Sequence, residues 1–186
     1  MLALRRMLTP RRKRVIPPSI TDEIVTERLL IRPTRPGDSA DVLASIDDEI
    51  ETINGWRPQS KLDLGRAIAA DRDPWHWVIR LREPDVLIGV LGAQFVDPLM
   101  IDGCEIGFWV LGHHRRNGYM TEAVAAFVER LGVNDITTVR ASTAVSNVAV
   151  HRIMHSVGFV ETGRRQRTLQ NGTVIDAIDY AAPARW

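Results

Sequence analysis

The sequence predicts a single α/β domain in which a mixed sheet is flanked by helices. Its 186 residues are enough for one ordinary domain, and 45% hydrophobic with 25% charged residues is typical of globular proteins. Segments with strand and helix periodicity follow in the order β, α, α, three strands, α, β, α and a final hairpin. This order favours a sheet covered by helices over an all-α or all-β protein.

The N-terminal half is predicted to hold one strand, two helices and a hairpin. In order, these are the strand Glu27–Arg32, a helix from Asp38 or Ser39 to about Glu49, a helix capped by Ser60 and stopped by Asp73-Pro74, and the hairpin strands Trp75–Leu81 and Val86–Val96, the second ending at Asp97-Pro98. Trp75 and Trp77 are expected on the core face of their strand.

The C-terminal half is predicted to continue with strand, helix, strand, helix and a hairpin. These are the strand Cys104–Leu111, the loop Gly112–Gly118, a helix from Tyr119 to Leu131, the strand Thr137–Thr143, the helix Asn147–Val157, and the strands Phe159–Arg167 and Thr173–Tyr180. The first helix has an amphipathic core face of Ala123, Val124, Phe127, Val128 and Leu131. Asn171-Gly172 suits a type I′ turn between the last two strands.

Composition and charge exclude several classes of protein. No window approaches 18 consecutive apolar residues, so no membrane span is expected. The single cysteine, Cys104, excludes a disulfide framework and fits a reducing, cytoplasmic location. Residues 1–14 carry six basic and no acidic side chains, which leaves 18 basic and 23 acidic residues in 15–186. The net charge of −5 on this body argues against nucleic-acid binding by charge alone.

The basic N-terminal segment is expected to lie apart from the folded domain. We predict a flexible arm and linker over residues 1–20, which include Pro17-Pro18, and one domain over residues 21–186. The arm could contact RNA, a ribosome or an acidic lipid surface, or remain a solvated tail. No membrane partner is expected, and the protein is expected to be a monomer or a homodimer.

The most informative segment is a strand, a basic loop and a helix in succession. The loop contains Arg115, Arg116 and Asn117, and Gly118 stands at the entrance of the Tyr119 helix. Free backbone N–H groups and the positive end of the helix dipole can bind a phosphate there. On its own this pattern fits a solvated basic turn equally well, and it has neither the lysine of a Walker A loop nor the glycines of a dinucleotide fingerprint.

Four segments together resemble the GNAT superfamily of N-acetyltransferases, in its RimJ/RimL-type branch. They are the opening strand Thr26-Glu-Arg-Leu-Leu-Ile-Arg-Pro33, the strand Glu105-Ile-Gly-Phe-Trp109, the loop Arg115-Arg-Asn-Gly-Tyr-Met-Thr-Glu-Ala123, and the helix and strand start Asn147-Val-Ala-Val-His-Arg-Ile-Met-His-Ser-Val-Gly-Phe159. They occur in the order typical of that superfamily and cover most of the chain.

The resemblance implies a mostly antiparallel sheet that splays between the fourth and fifth predicted strands and holds acetyl-CoA there. It implies that backbone groups of Phe108, Trp109 and Val110 pair with the pantetheine arm, with a strand N–H such as that of Val110 stabilising the oxyanion. Asn147 would hydrogen-bond the arm near the thioester, as part of the catalytic site, and Arg152 could reach the coenzyme. The pyrophosphate would bind the segment Arg115, Arg116, Asn117, Gly118, Tyr119, Met120 and Thr121.

The sequence departs from the family pattern at several positions. Met120 and Arg116 stand where glycine or alanine is common, and Val150 replaces a serine or alanine. Met154 stands where many members carry the tyrosine that protonates the leaving thiolate. Because thiols have pKa values near 8.5, a free thiolate is a tolerable leaving group near neutral pH.

Glu105 is the best candidate for the catalytic base, acting directly or through water. The alternative is a strand-end carboxylate paired with an arginine. His113 and His114 are expected to be exposed or to contact phosphate. His151 and His155 have the spacing of a metal pair but no third ligand, so no metal is predicted. Cys104 has no activating base and is expected to be a buried filler.

The acceptor is expected to be the α-amine of a protein or peptide, or a small amine such as an antibiotic or polyamine. Trp56 could line the acceptor channel or simply pack in its loop. Asp47, Asp48, Glu49 and Glu51 could attract a cationic acceptor or form a solvated helix end. Two other classes compete with an enzyme: a non-catalytic acyl-CoA sensor, and a ribosome-associated protein that uses the basic arm.

Overall fold

An eight-stranded sheet with helices on both faces forms the body of the chain. The computed structural model describes Ile20 and residues 22–73, 75–94, 103–134 and 136–184. The elements are β1 (Ile24–Val25), β2 (Leu29–Pro33), α1 (Ser39–Ala44), α2 (Asp48–Asn54), α3 (Pro58–Ala69), β3 (His76–Leu81), β4 (Leu87–Gln94), β5 (Gly103–Val110), α4 (Tyr119–Val133), β6 (Thr138–Ala144), α5 (Val148–Ser156), β7 (Val160–Thr168) and β8 (Val174–Pro183).

The strands lie in the order β1-β2-β3-β4-β5-β6-β8-β7. Every neighbouring pair is antiparallel except β5 and β6, which are parallel. This confirms the predicted mixed, mostly antiparallel sheet with flanking helices. Among the residues that the structure describes, no helix has the length and apolar character needed to cross a bilayer.

Each face of the sheet carries its own hydrophobic core. Helices α4 and α5 cover the larger core, in which Trp77 packs edge-on against Phe127 with ring centroids 4.9 Å apart. All five residues of the predicted core face of α4 are fully buried, as expected. Helices α1 to α3 cover the smaller core around Val78, Val90 and Trp109. A cleft opens beside this second core.

The predicted helix from residue 38 to 49 is wrong, because the chain forms two short helices instead. Asp38 does not cap α1 with its side chain; its carboxylate binds the buried Arg32 guanidinium at 2.7 and 2.9 Å. The Asp47 carboxylate then accepts a hydrogen bond from the Ile50 N–H at 2.8 Å and starts α2. A side chain that caps a new helix competes with continuation of the preceding one.

Other boundaries also differ from the sequence prediction. Helix α3 begins at Pro58, which suits the first helical turn, so Ser60 is not its cap. Helix α3 ends at Ala69, before Asp73, while Pro74 and the predicted break at Asp97-Pro98 lie outside the described residues. The two-residue strand β1 was not predicted. Only Gly172 in the β7–β8 turn has a positive φ, of 91°, so that turn is not type I′.

The predicted arm and linker lie outside the described residues, apart from the last residue of the linker. Ile20 is buried, and its carbonyl accepts a hydrogen bond from Trp77 Nε1 at 3.2 Å. Trp77 is buried in the larger core, as predicted, whereas Trp75 is only half-buried and lies at the edge of the cleft.

Candidate functional site

A cleft opens where β5 and β6 separate. The two strands pair over only three residues each, Gly103–Glu105 with Thr138–Arg140, whereas β6 pairs with β8 along its whole length. Beyond Glu105 the β5 backbone therefore has no β6 backbone to pair with. The cleft has a volume of about 760 Å³, within the range of small-molecule sites.

One end of the cleft is formed by the loop before α4. Gly118 has φ of 76° and precedes Tyr119, the first residue of the 15-residue helix. The first helical hydrogen bond there is donated by the Glu122 N–H to Gly118, so the N–H groups of Tyr119, Met120 and Thr121 have no acceptor within the helix. Tyr119, Met120 and Thr121 line the cleft together with Gly118. This end can therefore bind an anion.

The charged side chains of this loop differ in their surroundings. Arg115 lines the cleft, but its guanidinium is ion-paired with Glu49 and lies 3.5 Å from Asp47. Arg116 is exposed, lines the cleft and has φ of 64°, the left-handed region that favours glycine. The Arg116 conformation gives a physical reason for the glycine that is common at this position in the superfamily.

Asn117 and the two loop histidines take different positions. Asn117 is not among the residues that line the cleft; its amide donates to the carbonyls of His114 and Arg115 and so holds the loop. His114 lines the cleft, whereas His113 is exposed. Partial burial, with the neighbouring His113, lowers the pKa of His114, so His114 adds little positive charge at neutral pH.

The β6 and α5 side of the cleft offers hydrogen-bonding groups. Asn147 caps α5, accepting from the Val150 N–H at 3.3 Å, and lines the cleft with Arg152. Ser142 also lines the cleft, and its hydroxyl lies beside the carboxylate of Asp179, its cross-strand partner on β8. The hydroxyl can donate to that carboxylate and still accept a hydrogen bond from a ligand in the cleft. Ser142 was not predicted because a lone strand serine carries no motif.

Glu105 lies where the two strands begin to separate. It is the last β5 residue paired with β6, and it lines the cleft with its side chain 30% exposed. Arg167 Nη1 is 3.8 Å from its carboxylate, near the outer limit of an ion pair. The predicted alternative, a carboxylate beside an arginine, is thus observed, and the role of Glu105 as base stays a prediction. Val110 lies five residues away, roughly 16 Å along an extended strand, so Glu105 and Val110 cannot both touch one thioester.

The face of the sheet beside Glu105 carries Trp109 and His76, and Trp56 from the loop between α2 and α3 packs onto it. Trp109 packs edge-on against Trp56 at 5.1 Å and donates from Nε1 to the Ser45 hydroxyl at 2.9 Å. All three line the cleft. His76, the first residue of β3, was not predicted as a site residue, although its spacing of three from Asp73 is visible in the sequence. Its Nδ1 lies 2.9 and 3.0 Å from the two Asp73 oxygens.

The four acidic side chains of residues 47, 48, 49 and 51 do not form one acidic surface in the cleft. Only Glu49 of these four lines the cleft, and Glu49 pairs with Arg115. Asp47 caps α2, and Glu51 lies 3.5 Å from Lys61. The carboxylates that line the cleft among the described residues are therefore Glu49 and Glu105, each beside an arginine.

Four other positions considered in the sequence lie away from the chemistry. Met154 is fully buried in the larger core and does not line the cleft. His151 Nε2 bonds the Val145 carbonyl and Nδ1 bonds the Tyr180 hydroxyl, while His155 packs against the Tyr180 ring. Burial raises the pKa of the Cys104 thiol to about 12, with a smaller contribution from Glu105, so the thiol stays protonated. In the described ranges no group of three metal-capable side chains occurs.

Comparison with known proteins identifies the family. Residues 28–160 match the model of the acetyltransferase (GNAT) domain. The chain belongs to the GNAT acetyltransferase family and is therefore an acyltransferase. Members of this family use acetyl-CoA. The chain is 25% identical over 166 residues to the uncharacterized N-acetyltransferase YoaA of Bacillus subtilis strain 168. The aligned region covers 84% of this chain and 93% of YoaA.

Solved structures share the fold. A GNAT family acetyltransferase from Bacillus anthracis aligns with a TM-score of 0.74 at 20% identity, over 88% of this chain and 99% of that one. RimJ of Mycobacterium smegmatis in complex with CoA-disulfide aligns with a TM-score of 0.67 at 22% identity, over 84% of this chain and 82% of RimJ. Spermidine N-acetyltransferase from Vibrio cholerae in complex with CoA and spermine aligns with a TM-score of 0.71 at 15% identity, over 86% of this chain and 97% of that one.

Proposed function

We propose that this chain transfers the acetyl group of acetyl-CoA to a primary amine, by direct attack of the amine in a ternary complex. The observation that carries the proposal is the cleft between β5 and β6, which extends from the start of α4 to Glu105. An anion site at one end and a carboxylate at the other suit a long ligand with phosphate at one end and a reactive group at the other.

The helix entrance fixes the direction of the coenzyme. With the pyrophosphate on the N–H groups after Gly118 and beside Arg115 and Arg116, the pantetheine arm runs back along β5 past Val110, Trp109 and Phe108. The acetyl end then lies near Gly107, toward Glu105. In this arrangement the N–H of Val110 serves the pantetheine arm, and the oxyanion donor comes from the stretch nearer Gly107.

The side of the cleft opposite β5 supplies the remaining coenzyme contacts. Asn147 and Ser142 offer an amide and a hydroxyl to the pantetheine arm. Arg152, which is exposed on α5, offers a charge to the phosphates. The Ser142 hydroxyl supports this assignment, because its oxygen can accept from a pantetheine amide N–H while its proton is donated to Asp179.

The reaction requires two protons to leave the acceptor nitrogen. An ammonium must lose one proton before it can attack, and the nitrogen loses a second as the C–N bond forms and the C–S bond breaks. We assign the second proton to Glu105, which lies roughly 7 Å along β5 from Gly107 and acts directly or through one water. The thiolate of CoA leaves and takes up that proton.

The charges of the cleft favour a singly charged acceptor over a polyamine. A polycation needs several unpaired carboxylates, whereas Glu49 and Glu105 each lie beside an arginine. The α-amine of a protein or peptide carries one charge and suits this cleft better. Trp56 and Trp109 provide an apolar wall for its first side chain.

A coenzyme-release assay tests the proposed function. The panel contains tetrapeptides that begin with alanine or serine, and spermidine, following the acceptors named for structural neighbours. We expect acceptor-dependent release of CoA thiol, faster with a peptide than with spermidine. Saturable binding of acetyl-CoA without turnover on any acceptor would instead indicate a sensor, and a lack of binding would refute the proposal.

Three further expectations stay predictions. Ribosome contact through the basic arm concerns residues 1–14, which lie outside the described residues. The cytoplasmic location and the oligomeric state rest on the sequence alone.

A further inference from the structure

We propose that His76, oriented by Asp73, is a second catalytic base, which takes the first proton from the acceptor ammonium. This inference rests on the proposed function and assigns the proton transfer that Glu105 does not perform. It starts from the His76–Asp73 pair, which lies in the acceptor half of the cleft.

The sheet register brings His76 to the reaction centre. His76 pairs with Gly92 of β4, and Gly92 pairs with Gly107 of β5. Cross-strand partners point to the same face, so His76 and the two glycines form one row across three strands. Because neither glycine has a side chain, the face is open from His76 to Gly107, a distance of roughly two strand spacings or 10 Å between Cα atoms.

The imidazole points along this row. A Cβ placed on Gly92 would lie 3.4 Å from His76 Nε2 and 3.2 Å from Cδ2, so this edge of the ring lies over Gly92. Glu105, two residues from Gly107, is on the same face of β5. An amine above Gly107 would therefore have the imidazole on one side and the Glu105 carboxylate on the other.

Asp73 fixes the tautomer of His76. Its side chain is only 5% exposed and is held by the Thr34 hydroxyl at 3.2 Å and the Trp75 N–H at 3.3 Å. Because a carboxylate can only accept a hydrogen bond, Nδ1 of His76 carries the proton and Nε2 is the basic nitrogen. Asp73 acts as a positioning residue, which also stabilises the imidazolium once it forms.

The proton steps balance with two bases. His76, with Nδ1 donating to Asp73, takes one proton from the ammonium at Nε2 and releases it to water through the open cleft. The amine attacks the thioester carbon, its second proton passes to Glu105, and the C–S bond breaks. The thiolate then takes the proton from Glu105, which leaves the acetylated amine, CoA thiol and one proton in solvent.

Other charged or titratable groups line the cleft with His76. Besides Asp73, which holds its imidazole, these are Glu49 from α2, Glu105 from β5, His114, Arg115 and Arg116 from the loop before α4, Tyr119 from α4, Arg152 from α5 and Arg167 from β7. A pH profile must therefore be compared between variants rather than interpreted from one enzyme.

The test is the pH dependence of kcat/KM for His76→Gln, measured with the alanine-initiated tetrapeptide and with spermidine. At pH 6.5 we expect a loss of about 10²-fold, the scale of general-base catalysis. With the peptide, whose α-amine titrates near pH 8, the loss should shrink to within about threefold by pH 9.5. With spermidine, whose ammonium groups titrate higher, the loss should persist. Asp73→Asn should give a smaller loss with the same trend, and His155→Gln, an exposed histidine on α5, should have no effect.

The outcomes separate this inference from the proposed function. If the parent protein acetylates a panel member but the His76→Gln loss is the same at every pH and with both acceptors, His76 is structural and the inference is refuted. If His76→Gln fails to fold, judged by its melting curve, Asp73→Asn gives the same comparison. If the parent protein acetylates no panel member, the proposed function fails and the inference fails with it.

Discussion

The guanidinium of Arg115, at the end of the cleft where α4 begins, is held by the carboxylate of Glu49 from α2. The two side chains form an ion pair, in which Arg115 is 31% and Glu49 60% exposed. In the proposed complex Arg115 exchanges this partner for a coenzyme phosphate, so we expect Glu49 to compete with the ligand. Since exposed ion pairs contribute up to about 1 kcal/mol, Glu49→Gln should tighten acetyl-CoA binding up to about fivefold. Isothermal titration calorimetry at low salt measures this change.

The matched control is Glu51→Gln, which removes a carboxylate on the same helix that pairs with Lys61 and does not line the cleft. Its affinity for acetyl-CoA should equal that of the parent. High salt should reduce the effect of Glu49→Gln, because salt screens exposed charges. Weaker coenzyme binding by Glu49→Gln would show that Glu49 orients Arg115 rather than competing with the ligand.

Gly118 is expected to be essential for coenzyme binding. A Cβ at this position would meet only Arg28 Nη2 at 3.5 Å, an ordinary contact, so the protein itself leaves room for a side chain. Valine would nevertheless strain the backbone at φ of 76° and so displace the N–H groups of Tyr119, Met120 and Thr121, to which we assign the pyrophosphate. Gly118→Val should weaken acetyl-CoA binding about tenfold or more, since hydrogen bonds to charged groups contribute about 1.5–3 kcal/mol each.

Gly172→Val separates backbone strain from loss of binding. Gly172 has φ of 91° and open space around its Cβ position, and it lies in the β7–β8 turn. Both variants should lose roughly 1–2 kcal/mol of folding stability, but only Gly118→Val should lose coenzyme affinity. Equal affinities in the two variants would refute the assignment of the loop.

The buried ion pair of Arg32 and Asp38 is expected to dominate the stability of the α1 region. Both residues are buried, and two hydrogen bonds of 2.7 and 2.9 Å join them. Asp38→Asn leaves the Arg32 charge buried without a counter-ion and should cost about 3 kcal/mol. Glu23→Gln, which breaks the exposed pair with Arg35, should cost less than about 1 kcal/mol. Urea unfolding at pH 7 measures both changes.

The Asp38 effect should depend on pH with a definite sign. Burial opposes ionisation of Asp38, but the hydrogen bonds from Arg32 and from the Arg35 N–H outweigh it and lower the pKa of Asp38. A carboxyl with a lowered pKa stabilises the fold above its unfolded pKa, near 3.9, and loses that contribution as pH falls through the folded value. The difference in unfolding free energy between parent and Asp38→Asn should therefore narrow below about pH 4. A constant difference down to pH 3 would contradict this assignment.

The sequence predicted the fold well where periodicity was strong. The core face of α4 and the order of the larger strands followed from apolar spacing, which burial then enforces. The break between α1 and α2 was missed because it depends on Asp47 capping a second helix and on Ser45 accepting from Trp109, a contact between residues 64 positions apart. Local patterns do not contain contacts of that range.

The candidate site was predictable where residues lie in one segment. Glu105, Gly118 and Asn147 were found because each belongs to a contiguous motif, and all three line the cleft. His76 was missed because its place opposite Gly107 depends on the register of three strands. The separation of Glu105 from Val110, by contrast, already follows from the predicted strand Cys104–Leu111, which the structure shows as β5.

Glu105→Gln tests the residue that we assign to the second proton. The change keeps the shape of the side chain and removes the base, so kcat should fall about 10²-fold or more while the Kd for acetyl-CoA stays the same. Because the second proton must leave the nitrogen whatever its charge on arrival, the loss should persist at pH 9, unlike that of His76→Gln. Stopped-flow or steady-state thiol release over pH 6–9 measures both profiles.

Two further variants test the assignment of the second proton to Glu105. Glu129→Gln, on the exposed side of α4, should leave kcat unchanged. Arg167→Gln removes the arginine beside Glu105, so a structural role of the pair predicts that it reproduces the full loss. A kcat for Glu105→Gln within about threefold of the parent would make Glu105 structural. A loss of kcat in Glu105→Gln that vanishes by pH 9 would assign the first proton to Glu105. The assignment of that proton to His76 would then be wrong.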